Sequence, residues 1–118
     1  MQSTRVDRVS GLLKEEIGRL IQRELKDPRI GLVSITEVVL SRDLRHAKVF
    51  FSTYGDEAAK QRSLEGLRSA LGFIRGELGR RLNLRYIPEL DLRIDESMEY
   101  AFHIEEIIHQ IKKEQEGK

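Results

Sequence analysis

The sequence contains no cysteine and no tryptophan, and only 6% of its residues are aromatic. Without cysteine the chain has no disulfide, no thiolate nucleophile and no cysteine-ligated zinc, which fits a reducing compartment. No apolar run approaches the ~20 residues that span a bilayer, and the start from Met1 to Thr4 contains no apolar signal segment. We therefore expect a cytoplasmic protein that does not contact a membrane.

Motifs that carry catalysis are also missing. The sequence has no glycine-rich Walker or Rossmann motif and no serine nucleophile elbow. His103 and His109 lie near Glu105 and Glu106, but a spacing of six residues places the two imidazoles on different faces of a helix. A metal-dependent hydrolase is therefore the weakest alternative. We expect no enzymatic activity, no cofactor and no bound metal.

The low net charge hides a strong asymmetry along the chain. The formal net charge is +1, yet residues 60–86 contain seven basic and two acidic side chains. Residues 88–118 contain four basic and nine acidic ones. Because sign asymmetry indicates the kind of partner, the central segment is the candidate anion-binding surface. The acidic end leaves an alternative open, in which the chain is an adaptor whose last helix binds a protein.

Periodicity predicts one α+β domain over residues 1–118. Apolar residues recur every three to four positions in the helical segments and alternate with polar residues in the strands. Interior glycines disfavour helix, and we predict a kink at Gly72. Ser97 is predicted to cap the last helix, and residues 112–118 are expected to form a flexible charged tail. The predicted elements are helix 5–25, strands 32–40 and 45–53 joined by a hairpin turn at 41–44, helix 57–82, strand 87–95 and the last helix.

Four short segments together resemble the ribosome-binding factor A family. They read RVDRV at 5–9, LKDPR at 25–29, SALGFIR at 69–75 and IPEL at 87–90. Their order and separation are similar to that family's layout over nearly the whole chain. The DES sequence at 95–97, which opens the last helix, fits the same pattern.

The resemblance implies a type II K-homology (KH) fold, of order α-β-β-α-α-β with an added C-terminal helix and a three-stranded sheet packed on helices. KH domains clamp nucleic acid with a GxxG loop, and none stands between the second and third helices here. Ala70, Leu71 and Gly72 fill the family's Ala-x-Gly helix kink instead. The resemblance further implies a monomer that binds the free small (30S) ribosomal subunit, assists maturation of 16S ribosomal RNA, matters for cold adaptation and takes no small-molecule substrate.

Arginine is the residue type that we expect to bind ribosomal RNA phosphates. Arg68 and Arg75 lie seven positions apart, which places them on one helical side. Phe50, Phe51 and Phe73 lie in apolar patterns that predict burial, so base stacking is not expected. For a second group of arginines, a solubilising role is as strongly indicated as RNA contact. The first candidates are Arg68, Arg75, Arg80, Arg81 and Arg85, and the second group is Arg5, Arg8, Arg29, Arg42 and Arg45.

Overall fold

Four helices and three strands follow one another in the order that the sequence predicts. The computed structural model describes the backbone of residues 4–116 and the side chains of residues 4–97 and 107–115. The α-β-β-α-α-β order of the KH-like fold and the added C-terminal helix are confirmed. The elements are α1 (Arg5–Arg23), β1 (Val33–Leu40), β2 (His46–Thr53), α2 (Glu57–Ser69), α3 (Leu71–Arg81), β3 (Glu89–Ile94) and α4 (Ser97–Glu116).

Helix α1 begins at a reciprocal cap. The Thr4 side chain accepts a hydrogen bond from the Asp7 N–H, and the Asp7 carboxylate accepts one from the Thr4 N–H. These bonds satisfy two of the amide groups that a helix start leaves unpaired. The apolar stripe of α1 is buried in the core, as its spacing predicts. Its buried members are Val9, Leu13, Ile17, Leu20 and Ile21.

The sheet has the strand order β1-β2-β3, and only one of its faces is buried. β1 pairs antiparallel with β2 through the predicted hairpin, whereas β3 returns parallel to β2. The burial alternates along β2 and β3, which is the pattern of a sheet with helices on one side. In β1 the alternation is interrupted at Ile35 and Thr36, where the pairing with β2 shifts register. The inward row comprises Val38, Leu40, Ala47, Val49, Phe51, Leu90 and Leu92.

The break between α2 and α3 falls at Ala70, so the predicted kink at Gly72 is wrong by two residues. The Ala70 N–H donates to the carbonyls of Gly66 and Leu67, and the Ala70 carbonyl accepts from the Ile74 N–H. Ala70 therefore ends one helix and begins the next. Gly72 lies inside α3, and a Cβ built on it would meet no atom within 4 Å. Neither steric crowding nor backbone conformation requires a glycine there.

The start of α4 also differs from the prediction. Ser97 is the first helical residue, and its N–H donates to the Asp95 carboxylate at 2.9 Å. The second Asp95 oxygen accepts a 2.6 Å hydrogen bond from the Thr36 hydroxyl of β1. Asp95 thus accepts the first N–H of α4, and Ser97 lies inside the helix rather than at the predicted cap. Because α4 extends to Glu116, residues 112–116 continue the helix, and the flexibility predicted for the tail stays a prediction.

Candidate nucleic-acid interface

The parallel pairing of β2 and β3 brings two loops together at one end of the sheet. His46 stands opposite Glu89, and the Glu89 N–H donates to the Arg45 carbonyl at 2.8 Å. The β1–β2 turn, which carries Arg42 and Arg45, therefore lies beside the loop between α3 and β3. Asp43 holds this turn by accepting hydrogen bonds from the Ser41 hydroxyl and the Arg45 N–H. The Ser41 bond is the main cause of the lowered pKa of Asp43.

An exposed aromatic ring stands where these two loops meet. The Tyr86 side chain is in the α3–β3 loop and is 54% exposed. The guanidinium carbons of Arg45 and Arg85 lie 5.2 and 5.5 Å from the centre of its ring, within cation–π distance. We call Arg42, Arg45, Arg85 and Tyr86 the sheet-end cluster. Sequence reasoning missed Tyr86, because an isolated tyrosine in a loop carries no periodic signal.

Arg75 does not present its guanidinium freely to solvent. Its Nε donates to the Pro88 carbonyl at 3.1 Å, and its Nη2 donates to the Ile87 carbonyl at 2.9 Å. A carboxylate oxygen of Glu89 lies 3.5 Å from the same Nη2. The Arg75 side chain therefore fastens α3 to the loop that carries Arg85 and Tyr86. Its role as a phosphate contact stays a prediction. Two hydrogen bonds to carbonyls and one ion pair already engage the guanidinium group.

Arg80 and Arg81 are paired with carboxylates. Both bind Glu77 one turn earlier in α3, and Arg81 also binds Glu24 just after α1. The hydrogen bond from Arg80 is the main cause of the lowered pKa of Glu77. The hydrogen bond with Glu24 is the main cause of the raised pKa of Arg81. Arg81 thus links α1 to α3, a role that the sequence alone did not indicate.

Arg29 forms a local pair with Asp27 at 2.6 Å, and this hydrogen bond is the main cause of the lowered pKa of Asp27. The segment that carries the pair packs closely on α2. A Cβ built on Gly66 would lie 2.7 Å from Ile30 Cγ1 and 3.4 Å from Arg29 Cβ. The LKDPR segment and Gly66 therefore form a packing contact, and a helix glycine is required there.

The remaining candidate arginines have no ion-pair partner among the described side chains. Arg68 is the last residue but one of α2 and Arg75 belongs to α3, so their seven-residue spacing spans the break at Ala70, and their placement on one side stays a prediction. Lys60, which contributes to the basic segment, is only 5% exposed and lies in the interior. The candidates that are exposed and form no ion pair within the described part of the chain are Arg5, Arg8, Arg42, Arg45, Arg68 and Arg85.

The predicted burial of the phenylalanines is only partly correct. Phe51 is fully buried and Phe50 is half-buried, but Phe73 is 44% exposed. Ile74 and Leu78 form the buried face of α3. Phe73, the residue before Ile74, therefore lies on the exposed side of the helix. Leu71 packs against the core, as expected of an apolar residue there.

The described part of the chain offers neither a metal site nor a membrane span. No group of three or more His, Asp or Glu side chains there could hold a metal ion. His109 is exposed, and the side chain of His103 lies outside the described residues. No described helix is long and apolar enough to cross a membrane.

Comparison with known sequences gives one consistent family. The sequence model described as ribosome-binding factor A matches residues 5–108. A ribosome-binding factor A from Halothermothrix orenii is 47% identical over 117 residues, which cover 99% of this chain and 96% of the relative. One from Acetivibrio thermocellus is 49% identical over 114 residues, which cover 96% of this chain and 93% of the relative.

Solved structures agree with the sequence comparison. The crystal structure of ribosome-binding factor A from Thermus thermophilus superposes with a TM-score of 0.70 at 26% identity, covering 78% of this chain and 97% of that one. A homology model of the Thermus thermophilus factor, fitted into a cryo-EM map of a complex of 30S and ribosome-binding factor A, gives a TM-score of 0.62 at 28% identity, covering 74% of this chain and 91% of that one. The match of the family over residues 5–108 and the shared fold show that this chain belongs to the ribosome-binding factor A family.

Proposed function

We propose that this chain binds the free small ribosomal subunit in the cytoplasm and assists maturation of 16S ribosomal RNA as a monomeric RNA-binding factor without catalytic activity. Family membership supports the proposal, as does a structural relative that was fitted into a 30S complex. The observation that carries it is the set of exposed arginines with no carboxylate partner among the described side chains, three of which share the sheet-end cluster.

Unpaired arginines are the better phosphate ligands for an energetic reason. An arginine already bound to a carboxylate must give up that partner, or hold phosphate beside a negative charge, before RNA gains from it. Arg42, Arg45 and Arg85 form no ion pair among the described side chains, although the Asp43 carboxylate in the same turn attracts Arg45 at longer range. Their binding to RNA would also release counterions from the phosphates, which drives association. We therefore assign the main phosphate contacts to the sheet-end cluster rather than to Arg80 and Arg81.

Co-sedimentation with purified ribosomal particles tests this proposal. We expect the protein to pellet with free small subunits and not with large subunits. Replacing Arg42, Arg45 and Arg85 together by glutamine should abolish pelleting at physiological salt while the circular dichroism spectrum is retained. A control with Arg19, Arg23 and Arg93 replaced by glutamine loses the same charge elsewhere and should still pellet. Equal loss of pelleting in both variants would show that the net charge of the protein, and not the position of these arginines, controls binding.

Maturation is tested in cells that lack their own copy of the protein. We expect them to accumulate precursor of 16S RNA, most strongly at low temperature, and to recover when this chain is supplied. The sheet-end triple variant should fail to restore processing, whereas the control triple variant should restore it. Normal processing with the sheet-end variant would contradict the proposed role of these arginines.

A second candidate function is supported by α4. Ile107, Ile108 and Ile111 are exposed on this helix, within the acidic part of the sequence, and exposed apolar residues can mark a protein interface. In this alternative the chain is an adaptor, and its last helix binds a protein partner. Replacing the three isoleucines by serine should leave subunit binding intact if RNA contact dominates. Loss of binding with these replacements, but not with the arginine variant, would favour the adaptor.

A further inference from the structure

We propose that Tyr86, together with Arg45 and Arg85, binds an unpaired RNA base by stacking. This inference rests on the proposed function, since it names a specific contact of the same surface. It adds an aromatic residue and base contact to an interface otherwise described by phosphate contacts alone.

The position of Tyr86 is not explained by the core. Tyr86 is more than half exposed, it is not among the residues that pack against the core, and two guanidinium groups lie near its ring. The loop beneath it is nevertheless held in place. Arg75 binds the carbonyls of Ile87 and Pro88, and Pro88 is fully buried. An exposed aromatic ring on a fixed backbone is favourable for recognition, because little conformational freedom is lost on binding.

Arg45 and Arg85 can make more interactions with a nucleotide than with the Tyr86 ring alone. A guanidinium group can stack on a base and can also donate two parallel hydrogen bonds to a phosphate. Arg45 and Arg85 have no ion-pair partner among the described residues, so either can move from the ring to the phosphate of an incoming nucleotide. The base then takes the vacated area on Tyr86, while the remaining guanidinium stays near the ring.

The same features favour single-stranded RNA over a duplex or a protein. Bases within a duplex are already stacked and cannot reach an exposed ring, whereas bases in loops and ends can. A protein interface would need an apolar centre, but arginine and the polar Ser41 and Asp43 occupy the neighbouring turn. Alternating positive charge and an aromatic ring is the usual composition of surfaces that bind single strands.

Two substitutions of Tyr86 separate stacking from charge. Tyr86→Leu keeps the apolar bulk but removes the ring, and Tyr86→Trp keeps a ring able to stack. Stacking contributes about 1 to 3 kcal/mol per base, so Tyr86→Leu should weaken binding to small subunits roughly 5- to 150-fold. Its salt dependence should stay that of the wild type, because no phosphate contact is lost. Tyr86→Trp should bind within a few-fold of wild type.

The tryptophan variant also gives a direct signal, because the wild-type chain has no tryptophan. Its fluorescence should be quenched by an unstructured RNA of about twelve nucleotides and not by an abasic oligomer with the same number of phosphates. Unchanged subunit binding by Tyr86→Leu, or equal quenching by both oligomers, would overturn the stacking proposal alone. Failure of the wild-type protein to bind small subunits would instead overturn the proposed function.

Discussion

Arg75 illustrates how a charged residue in a basic segment can serve the fold. Its side chain is 37% exposed and donates to two main-chain carbonyls of the loop before β3. Arg75→Met removes both donors, and we expect it to lower the free energy of unfolding by about 1 to 2 kcal/mol. Arg75→Lys keeps the charge but lacks the planar fork, so it should restore only part of this loss. Urea denaturation measures both variants.

Arg68→Met is the matched control for Arg75. Arg68 is exposed at the end of α2 without a partner among the described side chains, so its replacement should change stability by less than about 0.5 kcal/mol. Equal destabilisation by the two methionine variants would show that the hydrogen bonds of Arg75 do not hold the loop.

Glycines that look alike in the sequence have different roles. We expect Gly66→Ala to destabilise the protein by about 1 to 2 kcal/mol, because its new methyl group would collide with Ile30. Gly18→Ala has open space in the middle of α1 and should stabilise by up to about 1 kcal/mol through helix propensity. Denaturation midpoints of the two variants should therefore move in opposite directions. A stabilising Gly66→Ala would refute the close contact.

Individual charges and glycines could be counted from the sequence, but their partners could not. Arg81 meets Glu24 across 57 residues of chain, a contact that only the packing of α1 on α3 creates. Tyr86 joins Arg45 because parallel pairing of β3 with β2 brings two distant loops together. Local sequence patterns reveal neither of these two contacts. The sequence therefore predicts which residue types form the candidate site, but not how they are arranged in space.

The elements themselves were largely predictable, because their periodicities agree with their burial. The stripe of α1 and the alternation of β2 both point their apolar residues inward, as the sequence indicated. The position of the helix break is different, because the low helix propensity of glycine points to Gly72 and the structure has the break at Ala70. The break at Ala70 reflects the end of one hydrogen-bonded segment and the beginning of another, and it is not visible as a change in residue type.

Asp95 connects the sheet to α4 and makes that junction sensitive to pH. Hydrogen bonds from Ser97 and Thr36 hold the pKa of Asp95 below its usual value of 3.8. A lowered carboxyl pKa gives stability that is present above the unfolded-state pKa and is lost as the pH falls through the folded-state pKa. We therefore expect Asp95→Asn to lower the melting temperature at pH about 6, with a smaller difference from wild type at pH about 2.5.

Glu96→Gln provides the comparison at the same junction. It removes a neighbouring carboxylate that accepts none of the hydrogen bonds from Thr36 and Ser97. Its melting temperature should stay close to that of the wild type at both pH values. A constant difference between Asp95→Asn and wild type from pH about 6 to 2.5 would contradict the pH dependence assigned to Asp95.

At the scale of the whole molecule, a basic segment in the sequence is not the same as a basic surface. Lys60 is buried, and Arg75, Arg80 and Arg81 are engaged by other groups of the protein. Arg42 and Arg45 come from outside the segment, yet they join Arg85 at the end of the sheet. The proposed anion-binding surface is therefore assembled by the fold from separate parts of the chain.

The salt dependence of binding to purified small subunits tests this account most directly. If roughly 4 to 6 phosphates are neutralised, the logarithm of the binding constant should fall with the logarithm of salt concentration with a slope of about −3 to −4. Replacing Arg42, Arg45 and Arg85 by glutamine should reduce the magnitude of this slope by about 2, while the triple variant of Arg19, Arg23 and Arg93 keeps it. A flat wild-type dependence, or equal slopes for both triple variants, would contradict a phosphate-binding surface at the end of the sheet.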